Sequence, residues 1–163
     1  MKFKGFTLVE LIVVIAIIGI LAAILVPSMM GYIKSSRYKS ANGNAKTVYT
    51  AAATYITEYA ENPQLADGTA KTAPGTVTDG TVAAWDNATC DTIQDAVNKY
   101  LGSDAVNSHY SISADQTSVY GALWSKDGST YIGSYPKAND PDSPAHTAMA
   151  DVATYYPVSA SGT

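Results

Sequence analysis

The apolar run Leu11–Val26 constrains this chain more than any other stretch. The hydrocarbon core of a bilayer is about 30 Å thick and a helix rises about 1.5 Å per residue, so about 20 residues must be apolar to cross it. Phe6 to Val26 supplies that length, which predicts a membrane-spanning helix at the N-terminus. A carboxylate, Glu10, lies inside the span. Buried charge in a membrane helix is costly and marks function. A plain anchor gains nothing from it, so Glu10 calls for a partner.

Charge is divided sharply along the chain. Residues 1–46 carry Lys2, Lys4, Lys34, Arg37, Lys39 and Lys46 against Glu10, a net of +5, whereas the rest carries −9, giving −4 in all. A nucleic-acid binder needs a basic face on its folded domain. An acidic body on a basic, apolar root suits a membrane-rooted protein with a self-repelling soluble head. Cys90 is the single cysteine, so no intramolecular disulfide can form; it reads as a small buried apolar residue.

An ordinary secretory signal has an apolar region of about 7–15 residues ending in a small-residue cleavage site. Here the run is longer, and Ala22-Ala23 is followed by more apolar chain, Ile24-Leu25-Val26. The stretch Lys4-Gly5-Phe6-Thr7-Leu8-Val9-Glu10, continuing through the apolar run to Ala23, instead resembles the class III signal of type IV pilins and their pseudopilin relatives. Pro27 matches that family's helix-breaking proline. The resemblance covers roughly the first thirty residues. It implies cleavage by a prepilin peptidase between Gly5 and Phe6, N-methylation of Phe6, and a role for Glu10 in setting subunit register. It also implies an inner-membrane assembly platform as a partner. The charges fit: cleavage creates an α-amine on Phe6, and an amine and a carboxylate attract strongly in a low dielectric. The pair can form within one helix, four residues apart, or between an incoming chain and its neighbour, the arrangement the resemblance favours.

Gly19 and Pro27 bracket the weakest part of the stem. Proline removes a backbone donor, and glycine costs about 1 kcal/mol of helix propensity relative to alanine. In lipid the segment is expected to stay helical; by resemblance to pilins it melts on assembly. Lys34, Arg37 and Lys39 mark the membrane exit as headgroup contacts.

The expected fold class is α+β, a long N-terminal helix packed on a small antiparallel sheet. Four regions are expected: a leader at residues 1–5, a transmembrane and polymerisation helix at 6–30, an amphipathic continuation at 31–62, and a globular head at 63–163. Ala41, Ala45, Val48, Ala52, Tyr55, Ile56 and Tyr59 recur at helical spacing and need a partner surface. Asn62-Pro63 ends this helix. Gln64–Asn87 reads as a long surface loop pinned by Trp85. Asp91 and Gln94 read as a capping box for a short helix through Leu101. Ser108–Ala114, Val119–Trp124 and Ser129–Tyr135 have strand composition. Lys126-Asp127-Gly128 predicts a tight turn between the last two strands. The proline-rich tail reads as irregular, with Asp151–Tyr156 a further strand or short helix.

No catalytic constellation is evident, and an enzyme is not expected: His109 and His146 are far apart in sequence. Asp140 and Asp142 are a weak calcium candidate beside Pro141, read mainly as a solvated turn; no other cofactor is expected. The reading that follows is a structural subunit of a type IV pilus. It would sit in the cell membrane as a single-pass precursor and then polymerise with itself into an extracellular filament for adhesion, twitching or aggregation. A pseudopilin of a secretion or DNA-uptake system is the alternative. A monomeric membrane-anchored binding module is the second, and the Gly5-Phe6 junction with Glu10 argues against it. Major pilins of many Gram-negative bacteria carry a C-terminal disulfide loop, which this chain cannot form.

Overall fold

The computed structural model describes residues 5–82 and 90–158, with only the backbone of Asp104. Two units, Met1–Ser36 and Arg37–Thr163, are distinguished. Helix α1 is assigned over Leu8–Glu61 and contributes to both.

In the first unit α1 is helical through Pro27. Pro27 cannot donate to the carbonyl four residues back, and the Ser28 hydroxyl donates to the Leu25 carbonyl at 2.9 Å. The apolar side chains of this unit are bare, from Phe6 at 74% exposure to Ile33 at 45%.

In the second unit, Tyr38, Ala41, Ala45, Val48, Ala51, Ala52, Tyr55 and Ile56 form one buried stripe of α1. Their three- and four-residue spacing places them on one helix face. The stripe packs on a four-stranded antiparallel sheet of β1 (Val77–Thr81), β2 (His109–Ala114), β3 (Val119–Ser125) and β4 (Gly133–Tyr135), ordered β1-β2-β3-β4. Tyr110 pairs with Trp124 and Ile112 with Ala122 in register, and all four join the core beneath α1. Period-two alternation sends Leu123 to the opposite face, where it meets Ile132, Met149 and Val152. Helix α2 (Ile93–Leu101) contributes Ile93, Ala96 and Val97 to the main core.

Close approach accounts for two glycines. A side chain at Gly133 would collide with the α1 backbone at Ala41 and Asn42, and one at Gly121 would enter the ring of Tyr156. Bulk at Gly133 would therefore push β4 off the helix.

Several expectations need correction. The cap of α2 is Thr92, not Asp91, and its reciprocal partner is Asp95, not Gln94. Asp95 offers a carboxylate at the N3 position where a glutamine was expected. The predicted loop 64–87 contains β1, hidden from pattern reading because Val-Thr-Asp-Gly-Thr shows little apolar alternation. The predicted strand 129–135 contracts to Gly133–Tyr135. Lys126-Asp127-Gly128 accordingly belongs to a wider loop rather than a two-residue turn, because Asp127 binds residues beyond it. In β2 the serines Ser111 and Ser113 are fully buried. Ser111 Oγ accepts the Asp79 N–H at 2.9 Å, and Ser113 donates to the Tyr156 carbonyl. Of the two forms expected for Asp151–Tyr156 the short helix is found, as α3, Val152–Tyr155, entered through a 3-10 turn at Met149–Asp151. Cys90 is half-buried rather than buried. Trp85 lies outside the described residues.

Candidate functional site

The helix start at Leu8 is built by Thr7 and Glu10. The Thr7 backbone N–H donates to Glu10 Oε2 at 2.9 Å, the Thr7 hydroxyl donates to the same oxygen at 2.6 Å, and the Glu10 N–H donates to Thr7 Oγ1 at 3.3 Å. This is a reciprocal capping box: a hydroxyl at the cap serves an orphan helix amide while the carboxylate three residues on serves the cap's own amide. Thr7 was missed as a partner, although Thr-x-x-Glu ahead of an apolar run is the sequence signal for it. Glu10 Oε1 accepts no hydrogen bond among the described residues, so one carboxylate oxygen is committed to Thr7 and the other is open.

Gly5 and Phe6 precede the helix and are exposed, leaving the peptide bond between them outside regular structure. Gly19 has nothing within 4 Å of where a Cβ would stand. The helix Leu8–Glu61 contains the described segment long and apolar enough to cross a membrane by length and composition. The structure thus brings Thr7 and Glu10 together, leaves Gly19 and Pro27 on a bare helix, and leaves Phe6 exposed just ahead of it.

The second unit has two polar centres that sequence reading did not find. Asn42, on α1, accepts the N–H groups of Ser134 at 2.9 Å and Asn139 at 3.0 Å through Oδ1, and donates from Nδ2 to the Asn139 carbonyl at 3.0 Å. Asn139 in turn donates from Nδ2 to the carbonyls of Ile132 and His146 and accepts the N–H groups of Ala145 and His146. An asparagine has two donors and two acceptor sites, and these are all in use at Asn139. The pair ties residues 132–146 to the helix without a covalent bond.

Asp127 is the other centre. Its carboxylate accepts the N–H groups of Ser129 at 3.0 Å and Thr130 at 2.7 Å, and the Thr130 hydroxyl. The Thr130 hydroxyl, followed by these amides, holds Asp127 well below the usual carboxylate range. The loop so fixed carries Tyr131 at φ 49°, a left-handed conformation costing roughly 1–2 kcal/mol in a non-glycine residue. The Tyr131 ring meets Tyr38 edge-on at 5.4 Å, and the Arg37 guanidinium lies over it at 5.1 Å.

Among the described residues no group of three or more His, Cys, Asp and Glu side chains could hold a metal ion. Asp140 accepts the Asp142 N–H at 2.8 Å, and both are exposed. His109 Nδ1 lies 3.0 Å from Asp79 Oδ1. His146 is 4% exposed, and its Nδ1 has no partner among the described residues. Burial pushes its pKa down, opposed by Asp151.

Residues 1–26 match the prokaryotic N-terminal methylation motif. The chain is 46% identical over 55 residues to the type IV major pilin protein PilA of Myxococcus xanthus, covering 34% of this chain and 25% of that protein. It is 52% identical over 48 residues to the type IV major alpha-pilin of Moraxella bovis, covering 29% and 30%. A fimbrial protein of Pseudomonas aeruginosa is 46% identical over 55 residues, covering 34% and 36%. The chain thus matches about a quarter to a third of the length of these curated relatives. No solved structure matches it. The likeness lies in the N-terminal segment: the chain carries the prokaryotic N-terminal methylation motif there and is similar over that segment to type IV major pilins.

Proposed function

We infer that this chain is the structural subunit of a type IV pilus. In this reading it enters the cell membrane as a single-pass precursor through residues 6–30. A prepilin peptidase cuts between Gly5 and Phe6, and Phe6 is N-methylated. An assembly platform then builds the helices into an extracellular filament. One observation carries the reading: a capped helix start, Thr7 with Glu10, leads into an apolar helix whose side chains are bare from Phe6 to Ile33. Contiguous exposed apolar surface on this scale demands lipid or protein cover, and a filament of copies supplies the protein.

Glu10 then acts at two stages. In the precursor one oxygen caps the helix through Thr7. In the filament the open oxygen receives the Phe6 ammonium of a neighbouring copy, which neutralises both charges and sets the axial step. Ile20–Val26, between Gly19 and Pro27, loosens once neighbouring helices shelter its backbone. The Asp140–Asp142 turn remains a weak calcium candidate, two carboxylates being too few for a cation that takes 6–8 oxygens.

The test is the mass of the N-terminal peptide in filaments sheared from the native host. A peptide starting at N-methylated Phe6, abundant in the sheared fraction, is expected. A processed peptide confined to membranes would favour a pseudopilin. An intact Met1, or a start beyond Val26, would defeat the assignment.

A further inference from the structure

The outer face of the sheet is covered by the tail, and His146 sits where that cover begins. The Tyr156 ring lies where a side chain on Gly121 would stand, and the Tyr156 carbonyl accepts the Ser113 hydroxyl. Met149 and Val152 close over Leu123 and Ile132. Asn139 fixes the backbone of His146, accepting its N–H and donating to its carbonyl. The His146 ring packs on the end of α3: Tyr155 meets it edge-on at 4.2 Å, and Tyr156 lies nearly parallel to it at 5.5 Å. This one residue therefore joins the Asn139 hub to the tail.

The surroundings of the ring suit its neutral form. The Tyr156 hydroxyl donates to the Lys137 carbonyl at 3.2 Å, so toward His146 Nε2, 3.5 Å away, it can only accept. That places the ring proton on Nε2 and leaves Nδ1 as a lone pair. Nδ1 is buried and has no partner among the described residues. A charged N–H in that position would lack both water and an acceptor. Tyr155 and Tyr156 touch the ring, and Tyr38 and Tyr131 share its hollow; phenols carry no charge in acid. Asp151 attracts a charged ring and Lys137 repels it, and the face of Tyr156 adds attraction. Burial outweighs the attraction of Asp151.

We propose that His146 is an acid-sensitive latch: a second ring proton, on Nδ1, finds no acceptor in the closed tail, so protonation releases residues 147–158 from the sheet and bares Leu123. Once the tail opens, His146 regains its ordinary value near 6.5, above its value in the closed form. The open form then binds more protons, so closure is at full strength above about pH 6.5 and weakens as pH falls below it. Between pH 7.5 and 5.5 one such group raises the opening constant several-fold, with a ceiling of about tenfold. The face uncovered is apolar, since Leu123, Ile132, Met149 and Val152 are all buried in the closed tail. It is offered in acid and withheld at neutral pH.

The latch lies within residues 37–163 and acts in dispersed chains, so its failure and that of the filament reading are distinguishable. The experiment is hydrogen exchange of the full chain in detergent at pH 7.5 and 5.5, each peptide scaled to its free-chain rate at the same pH. Peptides within 147–158 should lose protection several-fold in acid, while those of the α1 stripe, 48–56, stay within about twofold. His146→Phe, which keeps a ring but cannot titrate, should hold the tail within about twofold across the same range, and His109→Gln should leave the acid response in place. A histidine ring label in the unaltered chain, assigned by its persistence in His109→Gln, gives a second reading that needs no change at the latch: the His146 midpoint should lie below about 6.5. Unchanged protection of 147–158 between the two pH values would overturn the proposal. So would the same acid response in His146→Phe, or a His146 midpoint at or above about 6.5.

Discussion

Removing the Asn42 side chain tests whether a hydrogen-bond hub fastens residues 132–146 to the helix. Asn42→Ala leaves three backbone groups without their partner: the N–H groups of Ser134 and Asn139 and the Asn139 carbonyl. Ser134 and Asn139 are 1% and 3% exposed, so water reaches them poorly. Each stranded buried group costs about 1–3 kcal/mol. Asn42 itself is half-buried, so some water enters the gap it leaves. The expected loss is therefore about 3–5 kcal/mol, a large share of the roughly 5–15 kcal/mol that holds a domain folded. Since about 1 kcal/mol moves Tm by a few degrees in a domain of this size, a fall of about 10–15 °C is expected. Near-ultraviolet circular dichroism of the full chain in detergent, followed through thermal unfolding, reads it. Asn42→Asp keeps the acceptors and loses only the donor, so it should cost about 1–2 kcal/mol. Asn42→Ala with Asn139→Ala should cost clearly less than the sum of the single changes, because both act on one network. A shift below about 3 °C for Asn42→Ala, under 1 kcal/mol, would refute the reasoning and make the hub ornamental.

Four other outcomes are expected. Tyr110→Phe should be neutral or up to about 1 kcal/mol stabilising in urea unfolding, because the fully buried hydroxyl has no partner among the described residues. Tyr55→Phe should cost about 1 kcal/mol, since its hydroxyl lies 2.7 Å from the Thr72 carbonyl and 2.6 Å from that of Asp91 and is pushed up to about 12 by burial. Asp127 and Asp115 are both held below the ordinary carboxylate range, chiefly by the hydroxyls of Thr130 and Tyr120. Their stabilising effect is thus complete above the unfolded value of about 3.9 and is lost as pH falls below it. Asp127→Asn should flatten that part of the pH-stability curve, and an unchanged acid limb would count against the loop assignment. In assembled filaments, amides of Ile20–Val26 should exchange faster than those of the helix between Glu10 and Ile18; the reverse order would remove Gly19 and Pro27 from any role in loosening.

Local chemistry settled part of this protein in advance. An apolar run of membrane length, a carboxylate at its start and a glycine before it were visible because each depends on neighbours in sequence. The stripe Ala41 to Ile56 was visible for the same reason: helical period alone places those residues on one face. The stop at Asn62-Pro63 follows from a steric rule acting between adjacent residues. The Thr7–Glu10 cap is equally local, a hydroxyl and a carboxylate three residues apart ahead of an apolar run.

Tertiary structure decided what depends on distant partners. The face that β2 leaves polar should meet water by pattern, yet the tail covers it and buries Ser111 and Ser113. β1 owes its existence to pairing with β2 rather than to its own composition. Strand 129–135 shrank because Asp127 captures the amides of Ser129 and Thr130, which a sheet ladder would otherwise use. Asn42 and Asn139 are ordinary asparagines in sequence, 97 residues apart. Only folding brings them within hydrogen-bond reach, and only burial gives that contact its strength, because a polar group cut off from water must find its partner in the protein.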